Sequence, residues 1–326
     1  MTGQTSRRVS RSAQALLLGS LAASLLLVTS GCTRAMPGAV DASTTGVTSL
    51  RQDFELGSAA VASVEQTVPE PTGEFAQLRG QFVLTGGAPG TLAPLSADKD
   101  LQVCAADGSP PNEALVVDSN GGMANVLIYA DPQGYKIPIG DAKWEHEEYL
   151  QAPTILTGLA GFDQKNCVFI SHVFAMRSSQ TLEIINSDTV GHNTDLQGAN
   201  GRTARENYQV ASNSTVIYQP KNKSARPFKV TCGAHSWMAA YFHVLDHPFF
   251  AVSKADGSFE VKHVPCGVPL SFRIWHESAN KLAKLTVDGK EVSLSNGRLD
   301  LAEFQAGEER VLKIEIDVSN FSKLFN

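Results

Sequence analysis

Thr231-Cys232-Gly233-Ala234-His235-Ser236-Trp237-Met238 sets a thiol, an imidazole and a thioether at Cys-x2-His-x2-Met spacing, close enough for one short loop to wrap a single metal. Upstream, Asn186-Ser187-Asp188-Thr189-Val190-Gly191-His192-Asn193 supplies a second imidazole just after the apolar run 182–185, where a loop at the end of a β-sandwich can present it. Two imidazoles, a thiolate and a weak thioether form a soft set that accommodates both Cu(I) and Cu(II) with little rearrangement. Zinc is the chemical competitor, because Cys-His-His can be tetrahedral, but a thioether suits copper better. Against both stands the reading in which Cys232 is a buried apolar residue or a disulfide partner and the histidines are ordinary polar positions.

Outward from this loop the chain is patterned for strands. Residues 77–84, 124–130, 167–176 and 181–185 are short, branched or aromatic-rich runs bounded by Gly, Asn, Asp and Ser, and no long amphipathic helical period appears. Asp118-Ser119-Asn120-Gly121-Gly122 and Ala255-Asp256-Gly257 are turn signals between such runs. The expectation is a mainly β chain built from antiparallel sandwiches.

A strand, Asn-x-Asp, His-Asn, another strand and then Cys-x2-His-x2-Met resembles the cupredoxin (blue-copper) family. The ligand loop is most similar to that of amicyanin, and the wider chain resembles exported bacterial proteins called methylamine-utilisation-like. The resemblance spans roughly residues 76 to 280 and is sharpest between Cys167 and Val252. It implies a Greek-key β-sandwich holding one mononuclear copper on His192, Cys232, His235 and Met238, with a redox partner protein of unknown identity. It gives Asn193 the role of tying the loop of the first ligand to that of the Cys. It also implies that His235 lies near the surface, so that Trp237 is either part of an apolar docking rim or a core anchor. Gly233, Ala234 and Ser236 stand where many of that family carry Pro. Relatives carry Cys at places similar to Cys104 and Cys167, which makes those two the chosen disulfide and leaves Cys266 unpaired.

The segment 249–261, followed by Val264-Pro265-Cys266-Gly267 and Phe272-Arg273-Ile274-Trp275, resembles the second half of a prealbumin-type, carboxypeptidase-regulatory-like sandwich. Its first half resembles residues 80–88 and 124–130, so the cupredoxin is either inserted in a second sandwich or has simply recruited those early strands. The corresponding domain reading is a signal peptide (1–32), a flexible linker (33–75), an N-terminal β region (76–150), a cupredoxin domain (151–246) and a C-terminal β region (247–326).

The remaining titratable residues argue mostly by what they lack. His146, His243, His247, His263 and His276 form no His-x-His pair, so the clusters that multicopper oxidases and copper nitrite reductases need for a further copper are missing from the sequence. His172 alternates with Ile170 and Phe174 and reads as a core or edge histidine rather than a ligand. Glu145-His146-Glu147-Glu148 offers cation ligands but reads more readily as a solvated charged turn. Neither a phosphate loop nor paired glycosidase carboxylates are evident, and the expectation is a carrier rather than an enzyme.

Compartment and partners follow from the N-terminus and the charge. Arg7, Arg8 and Arg11 precede an apolar run, 13–28, too short to span a bilayer, and Val28-Thr29-Ser30-Gly31-Cys32 resembles a lipobox. Export and lipidation at Cys32 would anchor the protein to the membrane at the bacterial cell envelope. A linker of that composition reaches roughly 35 Å. A net charge of −6 offers no basic field for nucleic acid. The leading function is one-electron transfer; the rival is a non-redox ligand-binding or adhesion lipoprotein that uses the sandwich as a scaffold.

Overall fold

The computed structural model describes residues 68–198, 205–279 and 282–325. The expected signal peptide, Cys32 and most of the linker lie outside the described residues. The linker expectation runs a few residues too far at its end, because the backbone of Thr72 is already bonded to Cys266 O at 3.1 Å.

The chain is mainly β. Two strands come first, β1 (Phe75–Thr85) and β2 (Leu127–Ala130). Ten follow: β3 (Ile155–Leu156), β4 (Phe162–Lys165), β5 (Val168–Phe169), β6 (Val173–Arg177), β7 (Thr181–Asn186), β8 (His192–Leu196), β9 (Glu206–Val210), β10 (Ser214–Tyr218), β11 (Phe228–Thr231) and β12 (Ala239–Leu245). The last seven are β13 (Phe250–Val252), β14 (Ser258–Pro265), β15 (Leu270–Trp275), β16 (Lys284–Val287), β17 (Lys290–Ser293), β18 (Arg298–Leu301) and β19 (Glu309–Asp317). Among the described residues the α-helices are single turns, α1 (Leu101–Cys104) and α2 (Glu147–Leu150).

Strand pairing sorts these into two sandwiches. The middle ten form the sheets β10-β7-β4-β5, with β3 beside β7, and β6-β12-β11-β8-β9. The early and late strands form β14-β1-β19-β16-β17 and β13-β2-β15-β18. Strand β2 therefore pairs with β13 and β15, the pairing that insertion of one sandwich into another requires. Strict alternation of buried and partly exposed side chains along β7 and β15 gives each sheet one apolar face, which is why the sheets stack.

Each sandwich has its own interior. In the outer one Phe82 stacks on Phe259 at 4.8 Å between centroids. Gly80 leaves room beside them, since a Cβ there would come within 2.4 Å of Leu312 O. In the inserted one Phe242 sits among Phe162 at 4.6 Å, Phe174 at 5.0 Å and Phe228 at 6.2 Å. Leu95, Ala97 and Val103 pack on this second core although they precede β2 in the chain. Leu127, Tyr129, Val173 and Leu245 form a small apolar cluster joining the two sandwiches. His172 adds a polar tie, bound by the Glu277 carboxylate and 3.7 Å from Glu113. Burial opposes its charge, yet the two carboxylates outweigh that and hold His172 above the ordinary histidine value.

Candidate metal centre

Register explains why residues far apart in sequence converge. Strands β8 and β11 are antiparallel, with Asp195 opposite Thr231, so His192 at the start of β8 faces the loop that follows β11. That loop carries Cys232 and His235 and is drawn closed by Met238 N to His235 O at 3.0 Å. His192 Nδ1 and His235 Nδ1 lie 2.9 Å apart, and Cys232 Sγ is 3.9 and 3.8 Å from them. These three donors are close enough together to hold one metal ion, since such bonds run to about 2.0 Å for nitrogen and about 2.3 Å for sulfur. Met238 ends the loop, buried in the same core cluster.

Carboxylates turn both rings to face the triangle. His192 Nε2 is 2.8 Å from Asp188 Oδ2, and His235 Nε2 is 2.9 Å from Asp100 Oδ2. An imidazole that donates Nε2–H to a carboxylate presents a bare Nδ1 lone pair. Two such lone pairs facing each other at 2.9 Å beside a thiol repel unless a proton or a metal lies between them, so the donor set fits a cation. Burial drives His192 below the ordinary histidine value against the pull of Asp188, which favours the neutral, ligating ring.

Asn193 joins the two loops directly. Its Oδ1 accepts from Gly233 N at 2.7 Å and Ala234 N at 3.2 Å, while its own backbone N–H points at Cys232 Sγ from 3.4 Å. Proline at 233 or 234 would delete one of those donors, a physical reason for the Gly-Ala found there.

Asp188 and Asp100 are the members that sequence reasoning missed. Asp188 also accepts from Asn166 N at 2.6 Å and Cys167 N at 2.8 Å, capping two consecutive residues of positive φ. It thereby links the ring of His192 to the disulfide formed by Cys104 and Cys167. The i, i+4 spacing to His192 was a usable signal for Asp188; Asp100 had none. It stands at the start of α1 with positive φ and makes no side-chain cap, leaving its carboxylate to His235. The disulfide pins this segment over the centre, with sulfurs near His235.

That cover corrects the expectation of a ligand near the surface. His235 is fully buried, and Trp237 is buried beside it with its indole N–H on Cys167 O at 3.0 Å. Trp237 is a core anchor rather than a docking rim. A second correction falls on the charged turn, where Glu145 is buried, accepting from Gly140 N at 3.2 Å and lying 3.8 Å from Arg177.

Other clusters suit a metal less well. The groups that include Cys104 or Cys167 offer disulfide sulfurs, which are not thiolates. His146, Glu148 and His263 also come together, but the two rings stack at 3.8 Å and 5°, so their lone pairs run in parallel planes instead of converging. Cys266 is free and buried, its thiol pushed up by burial.

No family model matches the chain, and no curated protein does. Solved structures with a similar part include the copper-containing nitrite reductase from Thermus scotoductus SA-01, at 12% identity and TM-score 0.24, covering 29% of this chain and 23% of that one. Amicyanin from Paracoccus versutus matches at 11% identity and TM-score 0.23, over 29% of this chain and 82% of its own. An oxidised single-residue variant of amicyanin matches at 12% identity and TM-score 0.23, over 33% of this chain and 96% of its own. The chain thus spans under a quarter of the nitrite reductase and most of the amicyanins. At these scores the likeness carries no argument about activity, and the functional reading rests on the chain's own donors.

Proposed function

We propose that the protein is an exported, lipid-anchored carrier that moves one electron at a time through a mononuclear copper that His192, Cys232 and His235 would hold, with the Met238 thioether as a further, weaker ligand. The observation that carries this reading is the triangle of two Nδ1 atoms and one Sγ, each ring fixed from behind by a carboxylate. A bound copper would supply the redox couple. The protein's part is to keep the donors in place in both oxidation states, so that little rearranges when the electron moves.

Burial supports transfer over catalysis at the metal. Among the described residues, His192, Cys232 and His235 expose at most 2% of their surface, which suits a centre that passes electrons better than one that takes up a substrate. Electrons then pass through the covering side chains to a redox partner protein, and Cys32 supplies the anchor that keeps the carrier at the envelope. In the rival reading the sandwich is only a scaffold, and no observation at the centre favours it.

The test is the visible and EPR spectrum of the Cu(II)-loaded protein beside Cys232→Ser. An intense thiolate-to-copper band that reductant bleaches reversibly, and that the variant lacks, is the expected result. No bound copper, or copper without that band, would end the proposal.

A further inference from the structure

The disulfide of Cys104 and Cys167 lies against the metal centre on two sides. Its two sulfurs and a ring nitrogen of His235 are within 4.8 Å of one another, and so are the Cys167 sulfur, a carboxylate oxygen of Asp188 and a ring nitrogen of His192. Every one of these side chains is buried. While the bond is closed its sulfurs are poor ligands, because metals are held by thiolates. Opened, they become two thiolates beside an imidazole, a soft donor set of the kind that selects Cu(I). The element over the bond is α1, one turn long, entered from Asp100 at φ 50° with no side-chain cap, and Leu101 on it is 54% exposed. An uncapped single turn has little stability of its own, so local opening there admits a reductant without unfolding of either sandwich.

We propose that this disulfide is a closed metal site: a dithiol reductant opens it, and the Cys104 and Cys167 thiolates, with His235, then bind Cu(I). In the opening step the two thiols of the reductant close into its own disulfide, while the bond between Cys104 and Cys167 takes up two electrons and two protons and becomes two thiols. Binding of Cu(I) to both sulfurs releases those two protons. His235 belongs to both donor sets, so the thiol state of the pair also decides how firmly the copper centre keeps that ligand. The site does not depend on electron transfer at the centre.

Cys232→Ser separates the two donor sets, since it removes the thiol of the centre and leaves the pair intact. Anaerobic Cu(I) titration of the full-length Cys232→Ser chain against a chromophoric Cu(I) chelator, before and after treatment with dithiothreitol and its removal, tests the proposal. One Cu(I) per chain is expected after reduction, held at least about tenfold tighter than any Cu(I) on the disulfide form. Cys266 is free in both forms and cancels in the comparison. Adding Cys104→Ser and Cys167→Ser should abolish the gain, and adding His235→Asn instead should weaken it at least about tenfold. A cooperative urea transition of the reduced chain is expected to show that the gain belongs to a folded site. Equal binding before and after reduction would overturn the proposal. So would a gain that survives loss of both cysteines, a gain that His235→Asn leaves unchanged, or a reduced chain with no cooperative transition. A parent chain without the thiolate-to-copper band would count against the copper centre alone, so the two readings fail separately.

Discussion

In the outer sandwich Phe82, Phe259, Phe272, Phe304 and Phe321 run through one apolar cluster. In the inserted sandwich Phe162, Phe169 and Phe242 share the interior with Asp188, His192, Asn193, Thr194, Asp195 and His235. Among the described residues sixteen polar or charged side chains are buried and twelve of them lie between β3 and β12, so the polar cost of burial is concentrated in the unit that carries the candidate site. Strand β8 shows this most plainly, since His192-Asn193-Thr194-Asp195-Leu196 is buried throughout where an ordinary strand would alternate. The outer unit follows the apolar-inside rule and the inserted unit departs from it where donors must be held, as expected when local rules yield to a functional site.

The largest effect should come from the inserted core itself. Phe242→Ala should cost about 3–5 kcal/mol, read from urea unfolding, because four aromatic rings lose their common neighbour. Phe272→Ala in the outer core should cost a similar amount, and both should shift one shared transition, given the apolar cluster and the His172 tie between the units. Two separable transitions would show that each core stands alone.

Next is the disulfide. Replacing Cys104 and Cys167 together by Ser should cost about 3 kcal/mol by relaxing a crosslink across 63 residues. It should also free the Asp100 segment, so that His235 becomes reactive toward diethyl pyrocarbonate in the metal-free protein. Unchanged protection would mean that packing of Leu95 and Val103, not the crosslink, holds the cover. A smaller loss follows from Asp188→Asn, expected to weaken copper affinity by about 10–100-fold through a less firmly held His192. Asp100→Asn should do less, since the Asp100 carboxylate is 34% exposed and that of Asp188 only 3%. The reverse order would make Asp100 the dominant support of the centre.

What was legible in the sequence was what local spacing encodes. Cys232 and His235 share one loop, and His192 follows a recognisable strand, so the three side chains that converge could be picked out from local spacing. The alternating runs gave away β1 and β7 for the same reason. Long-range partners were not legible. The parallel pairing of β1 with β19, Phe82 opposite Ile314, joins residues more than two hundred positions apart and has no local mark. The place of Trp237 depended on a carbonyl at Cys167, and that of Glu145 on Arg177 reaching it from β6; a charged run reads as solvated until such a partner is known.

Acid should sharpen the contrast by the smallest increment. Burial lowers His243, in the inserted sandwich, to about 3, and His276, in the outer one, to about 4. Both stay neutral in the folded chain at pH 5.5, whereas the unfolded chain protonates them below its ordinary value of about 6.5. The unfolded state then binds more protons, so stability falls as pH drops through 6.5. By pH 5.5 each ring costs about 1.4 kcal/mol relative to pH 7.5. His172 works in the opposite sense above 6.5, because its raised value gives a contribution that is lost as pH rises through the folded value; that contribution is complete below 6.5, so it leaves the slope there to the other two rings. His243→Gln and His276→Gln should each flatten the pH 6.5 to 5 slope of urea-derived stability by one such increment. In the double variant the increments should add if the two sandwiches unfold together, whereas increments confined to separate transitions would show that the inserted unit carries its buried polar groups without help from the outer one.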